Sequence, residues 1–365
     1  MVKLVIHLSK LNDNTDFLAT LAMLAPGTDL RAGLENVLRA KTGGLIVFGA
    51  TEEVRNIITG GFQIEAPFSP SNMYELSKMD GALILSGDAK RIIYANAHLN
   101  PDPSIKSSET GIRHRTGERV AKQTNTTVVA ISQRRNIITI YQKDWKYVMS
   151  DIGVILTKAN QAIQTLDKYR SVLDQDLTNL TALEFEESVT LSDVVKVIQR
   201  SEMVMKIVKE IEKYITELGA EGRLVKMQLD ELIVNVEDDS YLLIKDYFNS
   251  QSDRSPSEIS RIISSLQSDE LLESEKILES LGYPKQASLL EQKILSRGFR
   301  ILNKIPRLPI NVVENLVNRF CDLRGIVNAS IEDLDKVEGI GEIRARVIKD
   351  GLRRIREQAL IDRYV

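Results

Sequence analysis

Cysteine is nearly absent: the 365-residue chain has one, Cys321, which excludes an internal disulfide and any cysteine-cluster zinc site. A lone thiol of this kind reads as a small buried hydrophobe. Histidine is almost as scarce, and His7, His98 and His114 share no helical ligand spacing, which argues against a histidine-held metal. No apolar run approaches the roughly 20 residues that span a bilayer. The segment from Met1 to Leu8 is too short for a secretory leader and lacks its small-residue cleavage pattern. A cytoplasmic protein with no membrane partner is expected. Neither a G-x-x-x-x-G-K-[ST] loop nor a G-x-G-x-x-G turn after a strand occurs, so any nucleotide is held without the common phosphate cradles. An excess of one charge is lacking too: 48 Lys and Arg against 51 Asp and Glu leave a formal net charge of −3. Attraction to nucleic acid therefore has to come from a local patch.

What is present is enough apolar material, 43% of a long chain, to bury more than one core, so two or three domains are expected. From Asp16 to Ala40 two helical patterns flank the break Ala25-Pro26-Gly27-Thr28, with Asp29 in a capping position. Leu45–Phe48 reads as a buried strand and Glu52–Ile58 as a short helix. Leu83–Ser86 and Arg91–Ala95 read as strands joined by the turn Gly87-Asp88-Ala89-Lys90, and Thr127–Ser132 pairs with Ile137–Tyr141 across Gln133–Asn136. Strands interleaved with helices over about 150 residues make one α/β domain.

At Trp145 the pattern changes. Ile152, Ile155, Ala159, Ala162, Leu166, Tyr169, Leu173, Leu177 and Leu180 recur in alternating steps of three and four, the stripe of a long amphipathic helix. Helical periodicity continues through Ser192–Leu218 and Ala220–Phe248, interrupted by the polar loop Asn249–Pro256 and by Leu281-Gly282-Tyr283-Pro284. Such stripes are core, so this region reads as a helical spine without chemistry of its own.

Two polar clusters look assembled for chemistry. Asp80-Gly81-Ala82 stands at the mouth of a strand, and Arg113-His114-Arg115-Thr116-Gly117-Glu118-Arg119 stands where helix formers begin, with Glu118 and Lys122 spaced as an i,i+4 pair. In isolation the first is a turn and the second a solvated basic face. A helix N-terminus, however, offers unpaired N–H groups and a favourable dipole, and two guanidiniums add planar, multi-donor ligands. Together they suit a polyphosphate.

The last 65 residues carry a degenerate repeat: Leu302–Pro309 aligns with Leu334–Gly341, each followed by a helix with Leu316 or Ile348 on its apolar face. In the second copy Gly339, Ile340 and Gly341 form a tight hairpin, where glycines let backbone N–H groups approach a phosphate. The next helix supplies Arg344, Arg346, Lys349, Arg353, Arg354 and Arg356 against Asp350, a local basic patch. This resembles the helix-hairpin-helix modules that grip the sugar-phosphate backbone. In the first copy Arg307 and Pro309 stand where the glycines should be, so that copy packs more than it binds.

The segments Met79–Leu85 and Glu109–Thr124 resemble the paired signature of diadenylate cyclases, most closely the DNA-integrity scanning family. The resemblance covers essentially the whole chain. It implies an α/β cyclase domain with a mixed sheet flanked by helices at 1–147, an all-α helical spine at 148–300, and an all-α tandem helix-hairpin-helix DNA-binding domain at 301–365. It implies condensation of two ATP into cyclic di-AMP with release of two pyrophosphates, Mg²⁺ or Mn²⁺ as cofactor, a homo-octamer, and sequence-independent binding of branched DNA in a DNA-damage checkpoint. By the same resemblance Asp80 orients the attacking hydroxyl and helps to hold the metal with the nucleotide phosphates, and Gly81 lets the loop approach the ribose. Leu99 contacts adenine through its backbone; Arg113, His114, Arg115 and Thr116 surround the phosphates, with Ser132 and Arg135 as further contacts. Where the family commonly has threonine, this chain has Ile112, so one hydroxyl contact, worth about 1 kcal/mol, is replaced by the backbone N–H alone. The alternatives are a catalytically weak or inactive DNA-junction binder whose first domain only oligomerises, and a nucleotide sensor without turnover.

Overall fold

The computed structural model describes residues 17–363; His7, the run from Met1 to Leu8 and Asp16 lie outside them. By internal contacts the chain divides into two compact units. One comprises the chain up to Asn160 together with Glu212–Lys226, the other Gln161–Ile211 and Met227–Val365.

The first unit is built on a seven-stranded sheet of β1 (Gly44–Phe48), β2 (Ile58–Pro67), β3 (Ala82–Leu85), β4 (Arg91–Leu99), β5 (Thr127–Ser132), β6 (Ile137–Gln142) and β7 (Trp145–Val148), in the order β2-β4-β3-β1-β5-β6-β7. β1 and β3 are parallel and every other pair is antiparallel, so the sheet is mixed. The alternation of side chains gives it two cores. Ile46, Leu83 and Val129 face one cluster with the helix Asp29–Arg39, while Leu45, Ile84 and Val128 face the other with the helix Ile112–Thr124. That second helix lies close to the sheet because it presents Gly117: a β-carbon there would stand 3.0 Å from Leu45 Cδ1.

Most of the expected elements of this unit are present, and three are additional: β2, β7 and the helix Pro70–Leu76. β2 lacks a clean alternation because it is an exposed edge strand with register shifts against β4. The capping residue before Asp29–Arg39 is Thr28, whose hydroxyl accepts from Arg31 N–H at 3.1 Å; Asp29 is the first helical residue instead.

The helical stretches run Ile152–Phe185, 34 residues, and Leu191–Leu218, 28 residues. Along the first stripe Ile155, Ala159, Leu166, Leu173, Leu177 and Leu180 are buried, whereas Tyr169 is exposed. The expected run from Ala220 to Phe248 breaks in two, Arg223–Leu232 and Val236–Tyr247, at a left-handed Asn235. No helix among the described residues is long and apolar enough to cross a membrane.

In the second unit the repeat has one backbone conformation in both copies. The helices Phe299–Asn303 and Ile310–Phe320 flank a turn with Arg307 at φ 62, and the helices Ile331–Asp335 and Glu342–Asp362 flank one with Gly339 at φ 84. Leu316 and Ile348 are fully buried in the shared core, which also takes in Leu242. Cys321, expected to be buried, is exposed, because it ends the helix Ile310–Phe320 in a left-handed conformation. Beneath this core Asp246 accepts from Phe299 N–H (2.6 Å) and Arg300 N–H (3.0 Å), and the fully buried Arg300 pairs with Glu184.

Candidate active site

The sheet topology decides where the chemistry-bearing residues meet. β1 and β3 begin, and the antiparallel β4 and β5 end, at the same edge, as the registers Ala82↔Ala97 and Gly44↔Ile131 require. Asp80 and Gly81 precede β3, His98 and Leu99 close β4, and Ser132 ends β5 with Gln133 to Arg135 after it. The helix Ile112–Thr124 directs its N-terminus to that edge, with Gly111 as N-cap and no side chain capping its free N–H groups.

These parts surround one cavity of about 910 Å³, within the size of ligand pockets, roughly 300–1,000 Å³. Asp80, Gly81, Leu99, Ile112, Arg113, His114, Thr116, Ser132 and Arg135 all line it. Arg115, the remaining expected member, does not. Residues that the sequence reading passed over also line it, among them Leu45, His98, Glu109, Thr110 and Arg134. Three guanidiniums, Arg113, Arg134 and Arg135, thus face a space into which the helix dipole also points, an environment that favours an anion. Asp80 is exposed at the same wall. Ile112, which lines the cavity at the start of the helix, keeps 78% of its surface exposed.

Two glycines shape the wall. A β-carbon on Gly81 would stand 2.6 Å from the Asn96 carbonyl oxygen and 2.7 Å from Asn96 Cα, and the Gly81 N–H donates to Asn96 Oδ1 at 2.9 Å. Glycine is therefore required by the approach of β4, a constraint that is separate from the approach to a ribose implied by the family resemblance. Gly43, at φ +72, leaves the space that the Arg113 guanidinium occupies.

The loop between β4 and the site helix is fastened to that helix. Glu118 accepts from the Ser107 hydroxyl and from Ser108 N–H, Arg119 donates to the Ile105 and Pro103 carbonyls, and Lys122 donates to Lys106 O. The Glu118–Lys122 pair is present at 2.8 Å. Arg119, grouped with the basic cluster in the sequence, thus serves the loop. The loop in turn delivers Glu109 to the hydroxyl of Tyr141, which lies 2.9 Å from His114 Nδ1.

The other candidate residues belong to the second unit. Gly339 supplies the left-handed turn, and Gly341 is the N-cap of the helix Glu342–Asp362, with nothing within 4 Å of where its β-carbon would be. Arg344 donates to Gly339 O, and Arg346 pairs with Glu342 on the exposed side of the helix. Two expected contacts are engaged elsewhere. The Ile340 side chain is buried in the hairpin core and its N–H donates to Val337 O, and Lys349 Nζ donates to the Val327 and Ala329 carbonyls at 2.7 and 2.8 Å.

Comparison with known proteins finds three matched regions. Residues 31–145 match the "DisA bacterial checkpoint controller nucleotide-binding" family model, residues 149–290 the "DisA bacterial checkpoint controller linker region", and residues 322–351 the helix-hairpin-helix motif. The DNA integrity scanning protein DisA of Carboxydothermus hydrogenoformans is 59% identical over 93% of this chain and 96% of its own. That of Clostridium tetani is 56% identical over 98% of both chains, and that of Bacillus subtilis 53% identical over 96% and 97%. With relatives this similar along nearly its full length, and with its nucleotide-binding domain in place, the chain belongs to the DNA integrity scanning protein DisA family, a family of diadenylate cyclases.

Proposed function

We propose that this chain condenses two ATP molecules into cyclic di-AMP and two pyrophosphates, and that its last domain binds branched DNA through backbone contacts. The observation that carries the reading is the single cavity that takes in Asp80 from one cluster and Arg113, His114 and Thr116 from the other. In each half-reaction a 3′-hydroxyl attacks the α-phosphorus of the other nucleotide. The new O–P bond forms, the bond to the β-phosphate oxygen breaks, and the hydroxyl proton passes to a base. Asp80 orients that hydroxyl and takes its proton. Arg113, Arg135, Thr116 and the first helical turn hold the phosphates against the developing charge, with Ser132 beside them. Arg115 acts on the phosphates from outside the cavity wall. Leu99 meets the adenine through its backbone, and Ile112 contributes its N–H alone.

A divalent cation fits as one carried by the nucleotide. Among the described residues no group of three or more His, Cys, Asp or Glu is arranged to hold a metal, and Mg²⁺ keeps its waters and binds one or two carboxylates plus substrate phosphates. Asp80 would hold Mg²⁺ or Mn²⁺ together with the phosphates, and the ion, when bound, neutralises phosphate charge.

One cavity holds one ATP, so two protomers face each other, and the assembly we infer is a homo-octamer of cytoplasmic chains. We assign cyclisation to residues 1–147, spacing to 148–300 and DNA binding to 301–365. The backbone at Gly339 and Gly341, with Arg344 and Arg346, meets phosphates without reading bases. Incubation with ATP and Mg²⁺ or Mn²⁺, followed by chromatography for a cyclic dinucleotide, tests the reading; absence of product with either ion refutes it.

A further inference from the structure

A chain of four polar side chains reaches the cavity, which two of them, Glu109 and His114, line; the nucleotide reading uses one. Lys146 on β7 forms an ion pair with Glu109, and the Tyr141 hydroxyl on β6 donates to Glu109 Oε1 at 2.9 Å. His114 Nδ1 lies 2.9 Å from the same hydroxyl, with the two rings edge to face. Tyr141 is 1% exposed, held between the sheet and the helix that carries His114. The Glu109 side chain is 8% exposed. His114 Nε2 is also buried, and it has no hydrogen-bond partner among the described residues.

The protons in this chain can be counted. Burial raises the Glu109 carboxyl, but hydrogen bonds from Lys146 and Tyr141 outweigh it and hold Glu109 below the usual carboxylate range, so it is ionised and only accepts. Burial, then Glu109, push the Tyr141 phenol far up, so it keeps its one proton and spends it on Glu109. Its oxygen can then only accept from the imidazole, so Nδ1 must carry a hydrogen. Burial pushes the imidazole down against the pull of Glu109, and Arg135, Lys146 and Arg113 push it further, so at neutral pH the ring has a single proton.

We propose that Tyr141, Glu109 and Lys146 are positioning residues for the cyclase reaction, fixing the His114 proton on Nδ1 and leaving Nε2 unprotonated in a ring that lines the cavity. The proposal rests on the cavity being the nucleotide site. It changes what the Arg-His-Arg sequence contributes: the arginines bring charge, whereas the imidazole between them is held neutral and in one orientation. A relay of this form sets the tautomer and orientation of a histidine; the analogous partners of metal-bound histidines are worth about 10- to 100-fold.

The test uses the full chain labelled with ¹⁵N at histidine only. A magic-angle-spinning spectrum reports the tautomer, and His114→Gln identifies the His114 signals. The wild type is expected to show a neutral ring protonated on Nδ1. Tyr141→Phe is expected to lose that preference and to lower kcat/KM for ATP about tenfold or more. Because Tyr141→Phe leaves Glu109 short of a donor and could fail to fold, a second pair of variants asks the same question. Glu109→Gln retains an oxygen that accepts the tyrosine proton and should retain the tautomer; Glu109→Leu should lose it. A wild-type ring protonated on Nε2 or on both nitrogens overturns the relay, as does an unchanged tautomer in Glu109→Leu. Product formation with the wrong tautomer sinks the relay alone. The expected tautomer in a chain that makes no cyclic dinucleotide sinks the nucleotide reading and the relay's catalytic role together.

Discussion

Gly43 and Arg113 compete for one space: a β-carbon on Gly43 would collide with Nη1 of the Arg113 guanidinium. A glycine that looks like a strand leader thus makes room for an arginine that lines the cavity. Gly43→Ala meets two obstacles, a left-handed φ of +72, costing about 1 kcal/mol for alanine, and the guanidinium itself. The expected outcome is a rise in KM for ATP of roughly tenfold, equivalent to one charge-assisted hydrogen bond of about 1.5 kcal/mol. Steady-state kinetics check it; an unchanged KM would mean that Arg113 does not hold the nucleotide.

Gly81→Ala should act on folding before it acts on chemistry. The atoms its β-carbon would strike are the backbone of Asn96 in β4, which cannot rotate away as a flexible side chain could. A cost of about 2 kcal/mol is expected, lowering the unfolding temperature of the first unit by about 4–8 °C. Differential scanning calorimetry decides this, and an unshifted transition refutes the steric account.

Asp80→Asn should separate binding from turnover. The side chain is exposed, so the amide costs the fold little, but it loses the charge that accepts a proton. We expect kcat to fall by about 10²-fold or more, with ATP affinity by equilibrium dialysis largely kept. Unchanged turnover would remove Asp80 from the mechanism.

On the hairpin module the prediction separates cations by what they already touch. Arg344 and Arg346 are exposed, and replacing both by Ala should weaken junction binding and reduce the slope of log K against log salt by about 0.9 per lost phosphate contact. Lys349 satisfies the carbonyls at the end of the helix Leu323–Asn328. Lys349→Ala should therefore lower the unfolding temperature and leave the salt slope alone. The reverse pattern would show that Lys349 is the phosphate ligand.

Acid should loosen the site through Glu118. Burial alone would raise its carboxyl, but hydrogen bonds from Lys122, Ser107 and Ser108 outweigh it and hold Glu118 below the usual carboxylate range. A depressed acid contributes stability that is present above its unfolded value and is lost as pH falls through the folded one. The first unit should lose unfolding temperature below about pH 4.5, and Glu118→Gln, less stable at pH 7, should flatten that decline. Parallel pH profiles for the two proteins would refute the assignment.

The sequence made the two clusters and their meeting legible, because turn chemistry and helix formers place Asp80 and Arg113 locally, and the family resemblance pairs them. The repeat was legible as well, to the point that Arg307 adopts the backbone that Gly339 adopts. What escaped was everything set by register. Nothing in the run Ile137–Gln142 distinguishes Tyr141 as a partner of a histidine 27 positions earlier, since an apolar strand with one tyrosine reads as packing. Glu109 looked like a loop carboxylate, and Lys349 looked like its basic neighbours, because a side chain's prior engagement depends on which carbonyls the fold brings near. Edge strand β2 escaped for a related reason: its exposure removes the apolar alternation by which strands are recognised.

The fastening of residues 102–111 by Glu118, Arg119, Lys122 and Gln123 has a thermodynamic corollary. The segment is immobilised when the chain folds, so an arriving nucleotide finds its surroundings already ordered and little conformational entropy is charged to association. Binding to this pocket should then resemble entry into a rigid mould, with its heat-capacity change set by the ligand's own buried surface and no extra contribution from a closing flap.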